Sequence, residues 1–212
     1  MSIQTFSIFQ SGRKGNSVQV ERSKIIVTNT KTGRLGFFKN CLNGMVIDNT
    51  AETLSCFIPS TATLVPIPRS APLVVGAQWP SLEICKILQS LAYGQSIKPL
   101  LSRIRSVPKA AFQSTAEQRP SVQLHYETIQ YKDEELFSSE MSQIILVDDV
   151  ITQGRIAYAC YKIIKEHHPQ VPVSLFCVIR SMSFQELTNC YNPKSGAITY
   201  NEDSGKTIHQ IQ

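Results

Sequence analysis

The residues best suited to chemistry lie in one run, Leu146-Val147-Asp148-Asp149-Val150-Ile151-Thr152-Gln153-Gly154. Two adjacent carboxylates, Asp148 and Asp149, can accept hydrogen bonds from sugar hydroxyls or help hold a hard cation such as magnesium. The loop that follows them opens a stretch, RIAYACYKIIKEHH, that reads as a helix. Backbone N–H groups at a helix N-terminus favour an anion such as phosphate. Diol recognition and phosphate recognition therefore fall a few residues apart, a pairing that suits a sugar phosphate. Two acids also serve simply to stop a strand and cap a helix, and the bare pair leaves both readings open.

The elements that must position this run are legible around it. Ile144–Val147 is a continuous apolar run, as expected of a central parallel strand covered on both faces, and the acid pair is expected to end it. Arg155–His168 reads as a helix and VPVSLFCVIR, 171–180, as the next buried strand, which completes a βαβ unit. Upstream, 63–67 reads as a short strand. PSLEICKILQSLAYG then reads as a helix, with Pro80 in its first turn, Leu82, Cys85, Leu88 and Leu91 as its apolar face, and Gly94 as its stop. The fold class this implies is α/β, with the ligand crevice at the carboxyl ends of the strands. Residues 1–60 alternate loosely between turn signals and are expected to form a few antiparallel strands, a β-rich N-terminal appendage or hood. Within the core, taken as 61–182, residues 97–142 carry mixed charge, little periodicity and Pro108 and Pro120; a connection of that length is functional or mobile. Residues 183–212 are expected to be a tail or a hood strand.

Composition narrows the classes. A chain of 212 residues that is 42% hydrophobic and 17% charged can bury a sizeable core and is too apolar to be disordered. No apolar run approaches the roughly 18 residues of a membrane helix, and the first residues carry no signal-peptide pattern, so no membrane partner and a cytoplasmic location are expected. Six scattered cysteines without metal-ligand spacing read as reduced core thiols. The net charge of +5 is unevenly placed. Arg13, Lys14, Arg22, Lys24, Lys31, Arg34 and Lys39 face only Glu21 in the first 40 residues, while Lys86, Lys98, Arg103, Arg105 and Lys109 follow without an acid between Glu83 and Glu117. Such stretches attract polyanions, nucleic acid or a phosphorylated small molecule, or are simply a solvated basic surface.

LVDDVITQG resembles the phosphoribosyl-diphosphate (PRPP) signature of type I phosphoribosyltransferases, unbroken from Leu146 to Thr152 and resuming at Gly154. The resemblance implies a parallel-sheet core of that family, with Asp148 and Asp149 on the ribose hydroxyls and magnesium, and Val150, Ile151, Thr152, Gln153, Gly154, Arg155 and Ile156 around the 5′-phosphate. Gln153 stands where the pattern has Thr or Ser, and Arg155-Ile156 where it has a small residue and Thr. Ile156 lacks a hydroxyl that normally reaches the phosphate, and Arg155 is the candidate to replace it. Upstream, LVPIPRS resembles the opening strand and turn of ComF-like competence-associated phosphoribosyltransferases, which implies Arg69 and Ser70 as pyrophosphate contacts. The stretch 102–122 resembles their basic lid, with Arg103, Arg105, Lys109 and Arg119 as the candidates; the family's N-terminal Cys-rich zinc module is missing.

Two functions follow from the resemblance. One is transfer of the phosphoribosyl group from PRPP to a nitrogen acceptor with release of pyrophosphate, Arg69 and the acid pair being the catalytic candidates, magnesium the cofactor, and His125 a potential lid proton donor. The other is a weakly catalytic or inactive PRPP-fold module that acts beside a protein or nucleic acid, docking through the basic N-terminal stretch. Chains of this family also occur beside reverse transcriptases in bacterial anti-phage loci, and this divergent form resembles that usage. Family members are commonly homodimers. No acceptor-binding motif is legible near either end of the sequence.

Overall fold

In a computed structural model, residues 2–45, 50–108, 118–132, 141–182 and 185–211 are described. The chain runs β1 (Ser2–Ser11), β2 (Lys14–Gly15), α1 (Ser17–Lys31), α2 (Gly36–Met45), α3 (Thr50–Phe57), β3 (Thr63–Pro66), α4 (Pro80–Ser90), β4 (Ser96–Ile97), β5 (Leu101–Arg103), α5 (Val122–Thr128), β6 (Ile129–Tyr131), β7 (Ile144–Ile151), α6 (Arg155–His167), β8 (Val173–Ser181), β9 (Glu186–Leu187), β10 (Tyr191–Asn201) and β11 (Lys206–Ile211). One seven-stranded sheet has the order β11-β10-β1-β8-β7-β3-β4. From β1 to β4 every pairing is parallel, and β10 and β11 add an antiparallel edge. The fold is α/β, as the βαβ pattern implied.

Strand β7 lies at the middle of a three-layer arrangement. Ile144, Ile145, Leu146 and Val147 are all fully buried. Ile144 and Leu146 pack with α5 and α6, whereas Ile145 and Val147 pack with α2, α3 and α4. Alternation places successive side chains on opposite faces, so an unbroken apolar run is what two covered faces require. Each such side chain contributes about 1.5–3 kcal/mol on burial.

The strand runs further than its apolar residues do. Pairing with β8 continues through Asp148 opposite Cys177, Val150 opposite Ile179 and Ile151 opposite Arg180, so the acid pair lies inside β7 and does not terminate it. Helix α4 begins at Pro80 as expected, but the residues it buries are Ser81, Ile84, Cys85 and Leu88, while Leu82 is only partly covered.

The β-rich reading of residues 1–60 is corrected. The described residues of that stretch form one long strand, the two-residue β2 and three helices, and β1 sits inside the main sheet between β8 and β10. Asn16 caps α1 by accepting from the backbone N–H groups of Val18 and Gln19. Its inward stripe, Val20, Ser23, Val27 and Thr30, has helical spacing but includes two hydroxyls, which hid its amphipathicity. In α2 and the turn before it, Leu35, Phe38 and Leu42 are buried at intervals of three and four, and Asn43-Gly44, read as a turn, lies within the helix.

The long connection is also more structured than expected. Its described residues include the end of β4, an antiparallel β5–β6 pair and helix α5 between them in sequence. Residues 191–211 form a hairpin that extends the sheet. Leu146→Ala should cost about 2–5 kcal/mol through the cavity it leaves, whereas Leu73→Ala at an exposed position should stay within about 0.5 kcal/mol. Urea denaturation of the two variants measures both.

Candidate functional site

Strand order locates the crevice. The chain passes from β3 to β4 on one side and from β7 to β8 on the other, so the sheet order reverses between β3 and β7, where α/β sheets place their ligand crevice. The loops after these two strands build its walls.

The loop after β7 is fixed by Gly154, whose φ of +73° is left-handed. That conformation favours glycine, and a Cβ there would also meet the Ile198 side chain of β10, with Cδ1 at 2.5 Å. With Gly154 as its N-cap, α6 starts at Arg155 without any side-chain cap. A cavity of about 100 Å³ lies against this turn, lined by Arg119, Pro120, His125, Asp148, Val150 and the loop from Ile151 to Ile156.

Asp148 lies at the inner wall of that cavity. Its Oδ1 accepts from the backbone N–H of Asp149 at 2.9 Å and from the Ser81 hydroxyl at 3.4 Å. Asp149 in turn accepts from the N–H of Val150 at 2.7 Å. Burial, and then the neighbouring Asp149 charge, pushes the Asp148 carboxyl well above the usual carboxylate range. Ser81, from the first turn of α4, was not foreseen, because a serine in a helix start reads as a capping residue.

Two arginines frame the other side. Arg155 donates from Nη1 to the carbonyl oxygens of Arg119 and Pro120, which ties α6 to the segment before α5. The Nε atoms of Arg119 and Arg155 are both buried without a partner, as is Oε1 of Gln153. Buried donors without acceptors are uncommon and costly. Arg119 and Arg155 both line the cavity, so its wall is cationic beside the acid pair.

Arg69 and Arg103 are placed apart from this group. They line a second cavity of about 260 Å³, with Pro68, Trp79, Leu101 and Lys132 among its walls. Trp79 Nε1 donates to the Ile67 carbonyl at 2.8 Å and closes the loop after β3. Arg103 is a buried node: Nε donates to the Arg69 carbonyl at 2.9 Å, Nη1 to Thr128 Oγ1 at 2.5 Å and Nη2 to His125 Nδ1 at 3.2 Å. An arginine can only donate, so His125 accepts at Nδ1 and carries its proton on Nε2. The Arg103–His125 pair joins the walls of the two cavities, since Arg103 lines one and His125 the other.

The remaining candidates scatter. Ser70 is half-buried and accepts at its carbonyl from the Val107 N–H. Arg105 is exposed, its Nη2 near the Glu127 carbonyl. Lys109 lies outside the described residues. Among the described residues no group of three or more metal-type ligands comes together, and no helix is long and apolar enough to cross a membrane. No protein-family model matches the chain, and no curated protein matches it.

Burial, with Arg103 and then Arg155 adding repulsion, pushes the His125 imidazole down to about 3. The native state therefore refuses a proton that the unfolded chain accepts near its ordinary value of about 6.5. Stability from this residue is complete above about pH 6.5 and is lost as the pH falls toward 3. His125→Gln should flatten that part of the stability-against-pH curve between pH 6.5 and 4, measured by urea denaturation at each pH. The slope that remains should include His209, which burial and Arg180 push down to about 4.

Proposed function

We propose that the crevice binds PRPP or a related sugar phosphate and transfers its phosphoribosyl group to a nitrogen acceptor. The observation that carries this reading is the pair of unpartnered arginine Nε donors at the loop that opens α6, beside the Asp148-Asp149 carboxylates at the switch point of the sheet. The resemblance of LVDDVITQG to the PRPP signature points the same way.

The roles follow from position. The loop from Ile151 to Ile156 offers backbone N–H groups to the 5′-phosphate, and Arg119 and Arg155 offer charge-assisted donors in place of the hydroxyl that Ile156 lacks. Asp148 and Asp149 hold the ribose hydroxyls. Arg69, on the β3 side, neutralises the departing pyrophosphate. Magnesium fits the acid pair, because it is usually held by one or two carboxylates together with substrate phosphates, and a cation beside Asp148 offsets the burial and the Asp149 repulsion that raise its carboxyl. Bound there with Asp148 and Asp149 as its protein ligands, it supplies charge stabilisation for the leaving group. The neutral His125 presents an N–H from Nε2 and is assigned to hydrogen bonding, not to proton donation at neutral pH.

A second reading has its own observation. Arg13, Lys14, Arg22, Lys24, Lys31, Arg34 and Lys39 are all exposed. A cationic surface of that kind suits a module that docks on nucleic acid or an acidic protein, and salt-sensitive binding to an oligonucleotide would favour it.

Thermal melting with and without PRPP and magnesium tests the first reading. Ligand at about 100 times its Kd adds roughly 2.7 kcal/mol, on the order of 5–10 °C for a chain of this size. Asp148→Asn/Asp149→Asn should lose the shift, and Arg155→Met should reduce it. The absence of any shift in the wild type at millimolar PRPP would overturn the reading.

A further inference from the structure

Helix α1 turns Val20, Ser23, Val27 and Thr30 inward and carries charge on its outward face. Arg22, Lys24 and Lys31 are exposed on the helix, Arg13 and Lys14 just before it, and Arg34 and Lys39 after it. Lys24 is paired with Glu21 at 2.6 Å, and Glu186 stands opposite Lys14 in the β2–β9 register. Among the described residues no ion pair reaches Arg13, Arg22, Lys31, Arg34 or Lys39. The 15 residues of α1 span about 22 Å, so these cations are strung along the helix and past both of its ends. A string of unpaired cations fits an anion whose charge repeats, not a single carboxylate or phosphate.

The other side chains of the face say which polyanion. Ser17–Lys31 contains no aromatic residue and no methionine. Protein interfaces concentrate their energy in aromatic and arginine anchors, and nucleic-acid single strands are held by stacking on aromatic rings, so neither partner is well served here. Val18 and Ile25 are instead 62% and 59% exposed, apolar groups left in water between the cations. Val18, Arg22, Ile25 and the partly exposed Asn29 follow one another at spacings of four, three and four, which places them in one stripe along the helix. Arginine reads guanine, asparagine reads adenine and aliphatic groups meet the thymine methyl, all in the major groove of B-form DNA. That groove is about 12 Å wide and admits a helix, whereas the major groove of A-form RNA is too narrow for side chains to read. Arg13 precedes the stripe, and Lys31, Arg34 and Lys39 follow it, where phosphate contacts would fix the register. We infer that α1 is a docking surface for double-stranded DNA, with this stripe toward the major groove. The inference rests on the cationic-docking reading given above and is independent of sugar-phosphate transfer.

Fluorescence anisotropy of a labelled mixed-sequence DNA duplex of about 20 base pairs, titrated with the full chain, tests the inference. Neutralising about five phosphates gives log K against log salt a slope of about −4.5, a weakening of about 500-fold between 50 and 200 mM salt. Arg22→Gln and Lys31→Gln should each reduce that slope by about 1. Arg22→Glu/Lys31→Glu should weaken binding about 30-fold or more, and Ile25→Asp about tenfold or more. All of these sites are exposed, so each variant should melt within about 2 °C of the wild type. Lys162→Gln, on α6 in the opposite helical layer, should bind as the wild type does. The single strand and an RNA duplex of the same sequence should each bind about tenfold more weakly or worse. Equal binding of the RNA duplex, unchanged binding by Arg22→Glu/Lys31→Glu, or an equal loss in Lys162→Gln would overturn the inference. Polyglutamate is the separate probe for the docking reading. Binding of polyglutamate without binding of the DNA duplex would overturn the DNA assignment and keep that reading, and binding of neither would end both.

Discussion

The rest of the structure depends on the burial of β7 on both faces. Four consecutive apolar residues, Ile144 to Val147, have no route to water, which fixes the strand between two helical layers and leaves only its carboxyl end for polar groups. The acid pair begins at the next residue. Asp148 therefore stands where a low-dielectric slab meets the crevice, and electrostatic interactions there are stronger than the same groups would have in water. The raised carboxyl of Asp148, the neutral His125 and the unpartnered Nε atoms of Arg119 and Arg155 are expressions of one condition: charge held at the margin of a dry core.

Arg103 links the walls around that margin. Its guanidinium holds the backbone of Arg69 in the loop after β3, the Thr128 hydroxyl at the end of α5, and the His125 imidazole. Arg155 ties the start of α6 to the residues before α5 in the same manner. Elements distant in sequence are thus braced by two arginines: Arg155 bonds only backbone carbonyls, whereas two of the three Arg103 bonds go to side chains, so that brace depends on Thr128 and His125. The basic stretch read as a lid contributes one brace, one cavity-lining arginine and one exposed residue, and these do not form a single cluster of cations.

The legible part of the fold was the part with strong local signals. The apolar run of β7, the amphipathic α6 and the proline-led α4 each announce themselves within a dozen residues, and so does the acid pair. Helices α1 and α2 did not, because Ser23 and Thr30 share the buried stripe of one and Asn43-Gly44 interrupts the other. The place of β1 was beyond any local reading, since its partners β8 and β10 lie at the far end of the sequence. At the site, Arg155 was identified from its place in the motif. Ser81 was not, because it looks like a helix start. Only the packing of α4 against β7 places its hydroxyl beside Asp148.

The position of β1 governs how the chain reaches its native state. Gln4 pairs with Ser174 and Ser2 with Thr199, so β1 closes against partners synthesised long after it. Closing loops of that length requires conformational entropy to be lost before the contacts that reward it are made, and topologies dominated by such pairings fold slowly. Until β8 and β10 arrive, Phe6 and Ile8 have no sheet to join and β1 is an exposed apolar strand with two open edges. The interval between synthesis and closure is when this protein is most vulnerable to aggregation, and it is set by connectivity, not by the strength of any single contact.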